Sequence, residues 1–256
     1  MTYDAHFFNN VSRSASRSAA TVTALIDRWI SPESVVDFGC ALGAWLVPWK
    51  ERGARVTGVD GPWVDERALL IEREEFHAAE LGEAIDLGRR FDLVQSLEVA
   101  EHIDGSRADV FVDNLVRHGD VVLFSAAVCG QPGEHHVNLQ PPSYWRDKFV
   151  ARGYALLDAV RPALRETSVE PWYRHNTLLF VREPRVDALP TEVLEHRVGS
   201  RATIADVSPL ALRAAFALLH RLPPRVGHAL AVLDKRAHQL RSTLASVYGP
   251  PLRRTR

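Results

Sequence analysis

The sequence predicts an α/β fold: a mostly parallel sheet of seven strands with helices on both faces, followed by a helical extension at the C-terminus. Three observations carry that expectation. Short apolar runs of strand length recur between residues 35 and 181. The first five alternate with stretches of helical pattern, as a parallel sheet covered on both sides requires. The last two lack a long helix between them, so the sheet should finish antiparallel at one edge.

Taken in order, the chain opens Ser/Ala-rich and becomes helical from Thr21 to Ile30, with Val22, Leu25, Ile26 and Trp29 at helical spacing before a Ser31-Pro32 break. The strands follow as VVDF (35–38), ARVTGVD (54–60), EFHAAEL (75–81), FDLVQSL (91–97), DVVLFSAAV (120–128), YALLDAV (154–160) and NTLLFV (176–181). The character changes after Glu183. Residues 184–207 hold Pro184 and Pro190 without clear periodicity, which predicts a linker or wrapping segment. Ser208-Pro209 then reads as a helix start, with a helix to about Leu222 before Pro223-Pro224. Beyond it Val226, Leu230, Leu233, Ala237, Leu240, Leu244 and Val247 form a heptad seam, suited to docking on the sheet domain or to pairing with a second copy. The expected division is therefore 1–183, a sheet domain with an N-terminal helical cap, and 184–256, a linker and helical extension.

Composition narrows the function. Charged residues make up 25% and the net charge is −1, so no global field draws the protein to nucleic acid or an anionic membrane. The cations are almost all arginine, with lysine only at 50, 148 and 235. Cys40 and Cys129 form neither a CxxC pair nor a disulfide framework. No signal pattern and no long apolar run appears, which predicts a soluble, cytoplasmic protein.

The chemistry gathers at the carboxyl ends of the expected strands, where α/β folds bind ligands. VVDFGCALGAW places Asp37 and Gly39 at a strand end and Gly43 at a helix start, with glycine where a ligand must approach the backbone. The second strand ends in Asp60 and the third in Glu80-Leu81. Acids at loop ends often only cap helices; three at successive strand ends suit a nucleoside. FDLVQSLEVAEHI then runs from a strand into an expected helical turn, with Glu98, Glu101 and His102 on one face, a set able to hold a divalent cation. GQPGEHHVN, after the fifth strand, brings His135 and His136. Such groups are more often solvated charge than metal ligands, and only their position at the strand ends sets them apart.

The ordered set DFGCALG, VTGVDG, AAEL and FDLVQSLEVAEH resembles the class I S-adenosylmethionine-dependent methyltransferases, over about residues 10 to 183. The resemblance implies a Rossmann-like sheet and S-adenosylmethionine as cofactor. It puts Asp37, Gly39 and Gly43 at the methionine portion, Asp60 at the ribose, and Glu80 with Leu81 at the adenine; Gly61 and Ser96 complete the cofactor set. Ala41 departs from the family's glycine. ExxEH resembles metal-dependent members of the family, the ubiquinone-pathway O-methyltransferases and the small-RNA 2′-O-methyltransferases. This implies Glu98, Glu101, His102 and His136 as ligands, with magnesium as the ion. FSAAVCGQPGEHHVNLQPPSYW resembles small-molecule methyltransferases, with Asn138 orienting a ligand or the substrate and Leu139 where glutamate is usual. PWYRHNTLLF (171–180) resembles the same subgroup, with no role assigned to its residues.

A cation suits an alcohol acceptor. An aliphatic hydroxyl holds its proton about as tightly as water, and zinc lowers the pKa of bound water from about 15.7 to about 7, magnesium by less. The expected function is O-methylation of a small polyhydroxylated molecule, a sugar or oligosaccharide, with His102, His135 or His136 taking the proton. A phenol, with a pKa near 10, would need less activation. RNA is a weaker alternative because the chain is not basic. A cofactor-binding scaffold is the non-enzymatic alternative. Trp63, Trp145, Trp172 and Tyr173 suit stacking on a sugar or base, though core packing is the commoner use of such rings.

Overall fold

The computed structural model describes residues 5–220, with side chains described for 15–218. The described chain forms two compact units: residues 5–128 with 137–208, and residues 129–136 with 209–220.

Helix α1 (Ala5–Ile30) begins well before the expected Thr21. Ala15 and Ala19, one turn apart, carry the apolar stripe of Val22 and Ile26 back along the same face. Ala15, Ala19, Val22, Ile26 and Trp29 lie buried along one side. Ser31 stops the helix in the left-handed region, at φ 48°, with its N–H on the Asp27 carbonyl at 2.9 Å.

The sheet of the first unit comprises β1 (Ser34–Phe38), β2 (Arg55–Asp60), β3 (Phe76–Ala78), β4 (Leu93–Leu97), β5 (Val121–Ser125), β6 (Tyr154–Leu157), β7 (Leu178–Arg182) and β8 (Arg197–Val198). Their order is β3-β2-β1-β4-β5-β7-β6-β8. The first five pair in parallel. β7 runs antiparallel to β5 and β6, the finish the sequence predicts. The chain leaves β1 on one side for β2 and returns to its other side with β4. The crevice between β1 and β4 is thus the switch point at which such sheets bind ligands.

Alternation along the strands builds two cores. Val35, Leu93, Leu123, Leu157 and Leu179 pack on the side of α1, α2 (Val47–Glu51) and α5 (Val160–Ala163). Val36, Val94, Phe124, Leu156 and Phe180 pack against α3 (Ala108–His118) and α4 (Pro142–Val150). Phe149 of α4 stacks on Phe180 at 4.0 Å between centroids. Each such side chain contributes roughly 1.5–3 kcal/mol on burial.

Two features differ from expectation. The sheet has eight strands, because the segment after Glu183 turns back and β8 pairs with the otherwise bare edge of β6. Val186 and Val193, within the 3-10 turn Glu183–Ala188 and α7 (Thr191–Leu194), are buried as it does so. The crossovers on either side of β3 contain no α-helix, only 3-10 turns before it and irregular backbone after it. Side chains from α3 replace the missing helix. The Asn114 amide takes the Ile85 N–H at 2.8 Å and donates to the Glu83 carbonyl at 2.7 Å, while His118 Nε2 accepts the Leu87 N–H at 3.0 Å.

In the second unit α8 (Leu210–His220) starts just after Pro209, as the Ser208-Pro209 pattern predicts. The expected helix end near Leu222 and the heptad seam over 226–247 lie outside the described residues. Among the described residues no helix is long and apolar enough to cross a membrane.

Candidate active site

At the ends of β1 and β2 the acids are placed as the sequence predicts, and both are buried. Asp37 is 3% exposed, and burial pushes its carboxyl up to about 7; the amide of Gln95 pulls the other way, and the charge of Asp60 adds to the rise. Gln95 is itself held by Trp49, whose indole N–H donates to its carbonyl oxygen at 2.9 Å. Asp60 accepts the N–H of Ala41 at 2.7 Å on one oxygen and of Gly61 at 2.6 Å on the other. Those two amides partly offset the burial that raises its pKa. Asp60 therefore sews the end of β2 to the turn after β1.

Ala41 sits at φ 48°, in the left-handed region that explains the family preference for glycine there. Gly39 is left-handed too, and a Cβ on it would strike the side chain of Val99, so this glycine also serves the protein's own packing. Gly43 (φ 86°) faces Ile71, and Gly61 lies under the Trp63 ring. Glu80 is exposed, whereas Leu81 is buried among Ile85 and Phe111. Ser96 is fully buried, with its hydroxyl donating to the Phe38 carbonyl at 2.8 Å, which ties β4 to β1.

The fourth strand end departs from the expected helix face. Glu98 is a left-handed residue, φ 57°, that donates its N–H to Ser125, and only Ala100–His102 forms a turn, of 3-10 type. The chain must bend sharply away from the sheet there, so Glu98 does not share a helical face with Glu101 and His102. Its Oε1 instead accepts from Asn176 Nδ2 at 3.2 Å. Glu101 is 1% exposed. Burial first, and then the charge of Glu98, push its carboxyl well above the usual range, while the amides of Glu101 and Ala127 pull it down. A ligand atom of Glu101 and one of His102 lie within 4.8 Å of each other. The Glu101 carbonyl accepts the N–H groups of Val137 and Asn138, at 2.9 and 3.0 Å. That anchor fixes the chain immediately after His136 on the Glu101 turn.

In the second unit His136 is half-buried, with Nδ1 at 3.4 Å from the Gln131 carbonyl, and its ring occupies the space a Cβ on Gly133 would need. His135 is exposed, at φ 58°.

Comparison with known proteins matches this architecture. A methyltransferase-domain family covers residues 12–118. The ubiquinone biosynthesis O-methyltransferase of Methylobacterium sp. (strain 4-46) is 34% identical over 76 residues, 27% of this chain and 30% of that enzyme. Among solved structures, an O-methyltransferase family protein from Burkholderia thailandensis superposes with a TM-score of 0.51 at 16% identity, covering 69% of this chain and 58% of that one. An S-adenosylmethionine-bound amino pentose methyltransferase from Micromonospora echinaspora, involved in calicheamicin biosynthesis, gives 0.51 at 13% identity, covering 71% and 98%. The chain thus carries a methyltransferase-domain match over residues 12–118, on a fold that it shares with these structures. It spans about a third of the length of the curated relatives it matches.

Motif reading missed several residues that the fold brings to the same crevice. Gln95, held by Trp49, lowers the pKa of Asp37, but neither residue carries a sequence signal beyond an apolar strand and helix. α6 (Pro171–Asn176), the PWYRHN stretch, supplies two more. Asn176 reaches Glu98, and Tyr173 lies edge-on to Trp45 with centroids 4.8 Å apart. Burial raises the Tyr173 hydroxyl pKa, and the charges of Glu98 and Asp37 add to it. Trp145 packs in the core on Phe124 and Tyr144.

Proposed function

We propose that this protein is an O-methyltransferase that uses S-adenosylmethionine and a divalent cation to methylate a hydroxyl of a sugar or oligosaccharide. The observation that carries the reading is Glu101. A carboxyl buried beside a second acid, with an imidazole within 4.8 Å, is costly for the protein alone and suits a cation. Glu101 and His102 would hold it. Glu98, drawn toward Asn176, contributes charge beside them. The imidazole leaves the choice among magnesium, manganese and softer ions to the assay, with magnesium the first ion to try. When bound, the cation would polarise a coordinated hydroxyl and orient a neighbouring one.

The chain's own residues set the rest. In this reading Asp37 would meet the cofactor's ammonium and Asp60 its ribose, with Gly39, Gly43 and Gly61 shaping the turn and Glu80 and Leu81 at the adenine edge, while the buried Ser96 ties β4 to β1 rather than touching the cofactor. Orienting donor and acceptor is a large part of the rate, up to roughly 7–11 kcal/mol in favourable cases. His102, the imidazole beside Glu101, would take the acceptor's proton, directly or through a cation-bound oxygen. The saccharide acceptor follows from the chemistry of adjacent hydroxyls, and the fold neighbours include an amino pentose methyltransferase and a sugar N-methyltransferase. A second reading keeps site and cofactor and takes a phenol, in line with the ubiquinone biosynthesis O-methyltransferases among the relatives.

Purified protein with S-adenosylmethionine and saccharide acceptors should release S-adenosylhomocysteine, lose that activity in EDTA, and regain it with magnesium or manganese. Full activity in EDTA would reject the cation. Turnover of catechols but not saccharides would select the phenol.

A further inference from the structure

A second site lies on the other side of α6. A pocket of about 290 Å³ is lined by Arg161, Pro162, Arg165, Arg174, His175 and Val207, three of them arginines. The arginines are not equivalent. Arg161 is buried and already matched: its Nε donates to Asp158 at 2.7 Å and its Nη1 to the Ala205 carbonyl at 3.0 Å. Arg165 is largely exposed, 3.8 Å from an equally exposed Glu166. Arg174 donates one Nη1 bond to the Thr167 carbonyl at 3.0 Å. Among the described residues no carboxylate forms an ion pair with it, and its Nε is buried without an acceptor. The Nδ1 of His175 is also buried without a partner.

A half-buried guanidinium with no counter-ion beside an unmatched imidazole nitrogen is an unfavourable arrangement unless something supplies the acceptor. Planar, forked donors of this kind match the oxygens of a carboxylate or a phosphate. We propose that this pocket binds an anionic group, carboxylate or phosphate, carried by the methyl acceptor. The proposal rests on the methyltransferase reading and adds a charge requirement to its substrate. α6 makes the link. Tyr173 and Asn176, three residues apart, share the helix face turned to Glu98, while Arg174 and His175 lie round the helix from them. The two sites are separated by about one helix width, ~10 Å, so an acceptor reaching both is extended, with its hydroxyl at one end and its anion at the other. Burial and the charges of Arg174 and Arg161 hold the pKa of His175 below its ordinary value, with Asp206 opposing them.

The test has a binding arm and a kinetic arm. Thermal unfolding of the full chain is followed against inorganic phosphate, with sodium chloride at matched ionic strength as reference. A saturable rise in Tm is expected, weakened roughly 10-fold in apparent affinity by Arg174→Gln. The exposed Arg165→Gln should weaken it by a smaller factor without disturbing the fold. No rise beyond that of chloride, or equal rises in wild type and both variants, overturns the site. In the kinetic arm, uronic or phosphorylated saccharides are compared with their neutral parents. A lower KM for the acidic acceptor, lost in Arg174→Gln with kcat retained, supports the assignment. A phosphate-dependent Tm rise with no preference for acidic acceptors overturns the acceptor assignment and leaves a site for free phosphate. S-adenosylmethionine binding by calorimetry, unchanged in both variants, separates these outcomes from failure of the methyltransferase reading.

Discussion

Ala41 and Asp37 show what single residues contribute at the end of β1. Ala41 holds a backbone conformation at φ 48° that costs an L-residue about 1–2 kcal/mol, against the roughly 0.5–1 kcal/mol that glycine loses in chain entropy. Ala41→Gly should therefore raise stability by about 0.5–1 kcal/mol, read as a higher urea midpoint at unchanged slope. An equal or lower midpoint would show that the turn is relaxed as it stands. Asp37 makes a prediction in pH. Its folded-state pKa is raised from 3.8 to about 7, so between those values the native chain keeps a proton that the unfolded chain releases. Stability from this group is full below the lower value and falls as pH rises through the window. Cofactor binding should run the other way, because an ammonium is met by the ionised carboxylate. Affinity for S-adenosylmethionine, measured by calorimetry, should climb from pH 6 to pH 8, and Asp37→Asn should flatten both trends. A pH-independent affinity in the wild type would remove Asp37 from that role.

At the scale of elements, the connection from β3 to β4 is held by α3 rather than by a helix of its own. His118 is fully buried, with Nε2 accepting the Leu87 N–H and Nδ1 facing the Asn114 carbonyl at 2.6 Å. Only the neutral tautomer protonated on Nδ1 satisfies both contacts. Burial lowers its pKa from 6.5, so its contribution is complete above that value and is lost as pH falls below it. His118→Leu should cost about 1–3 kcal/mol at pH 7.5 and speed exchange of the Leu87 amide. The stability gap between variant and wild type should narrow at pH 5.5; a gap that widens there would contradict the assigned tautomer. This element also marks where pattern reading stops. Seven strands, the parallel run and the antiparallel finish were legible because buried strands must be apolar on successive residues, as in VVLFS and LLFV. The helix-free crossovers were not, because the support comes from Asn114 and His118, far along the chain. β8 escaped notice because two residues carry no period.

The whole molecule joins these parts at one crevice. The ends of β1 and β2 present buried acids, the end of β4 presents Glu98 and the Glu101–His102 pair, and the loop after β5 is pinned to the Glu101 carbonyl. Motif order was enough to name the acids at each strand end, because the fold puts every parallel strand's carboxyl end on one side. The sharp turn at Glu98 was hidden, since ExxEH reads as a helix face and only the folded backbone shows a left-handed residue there. Gln95, Trp49 and Asn176 act through partners distant in sequence, and no local spacing announces them. The cation is the most exposed part of this picture. Diffraction at the manganese edge from crystals grown with S-adenosylmethionine and Mn²⁺ should give an anomalous peak shared by the Glu101 carboxylate and the His102 imidazole, absent in Glu101→Gln crystals. A wild-type map with the cofactor in place and no peak at that pair would contradict the metal-assisted reaction.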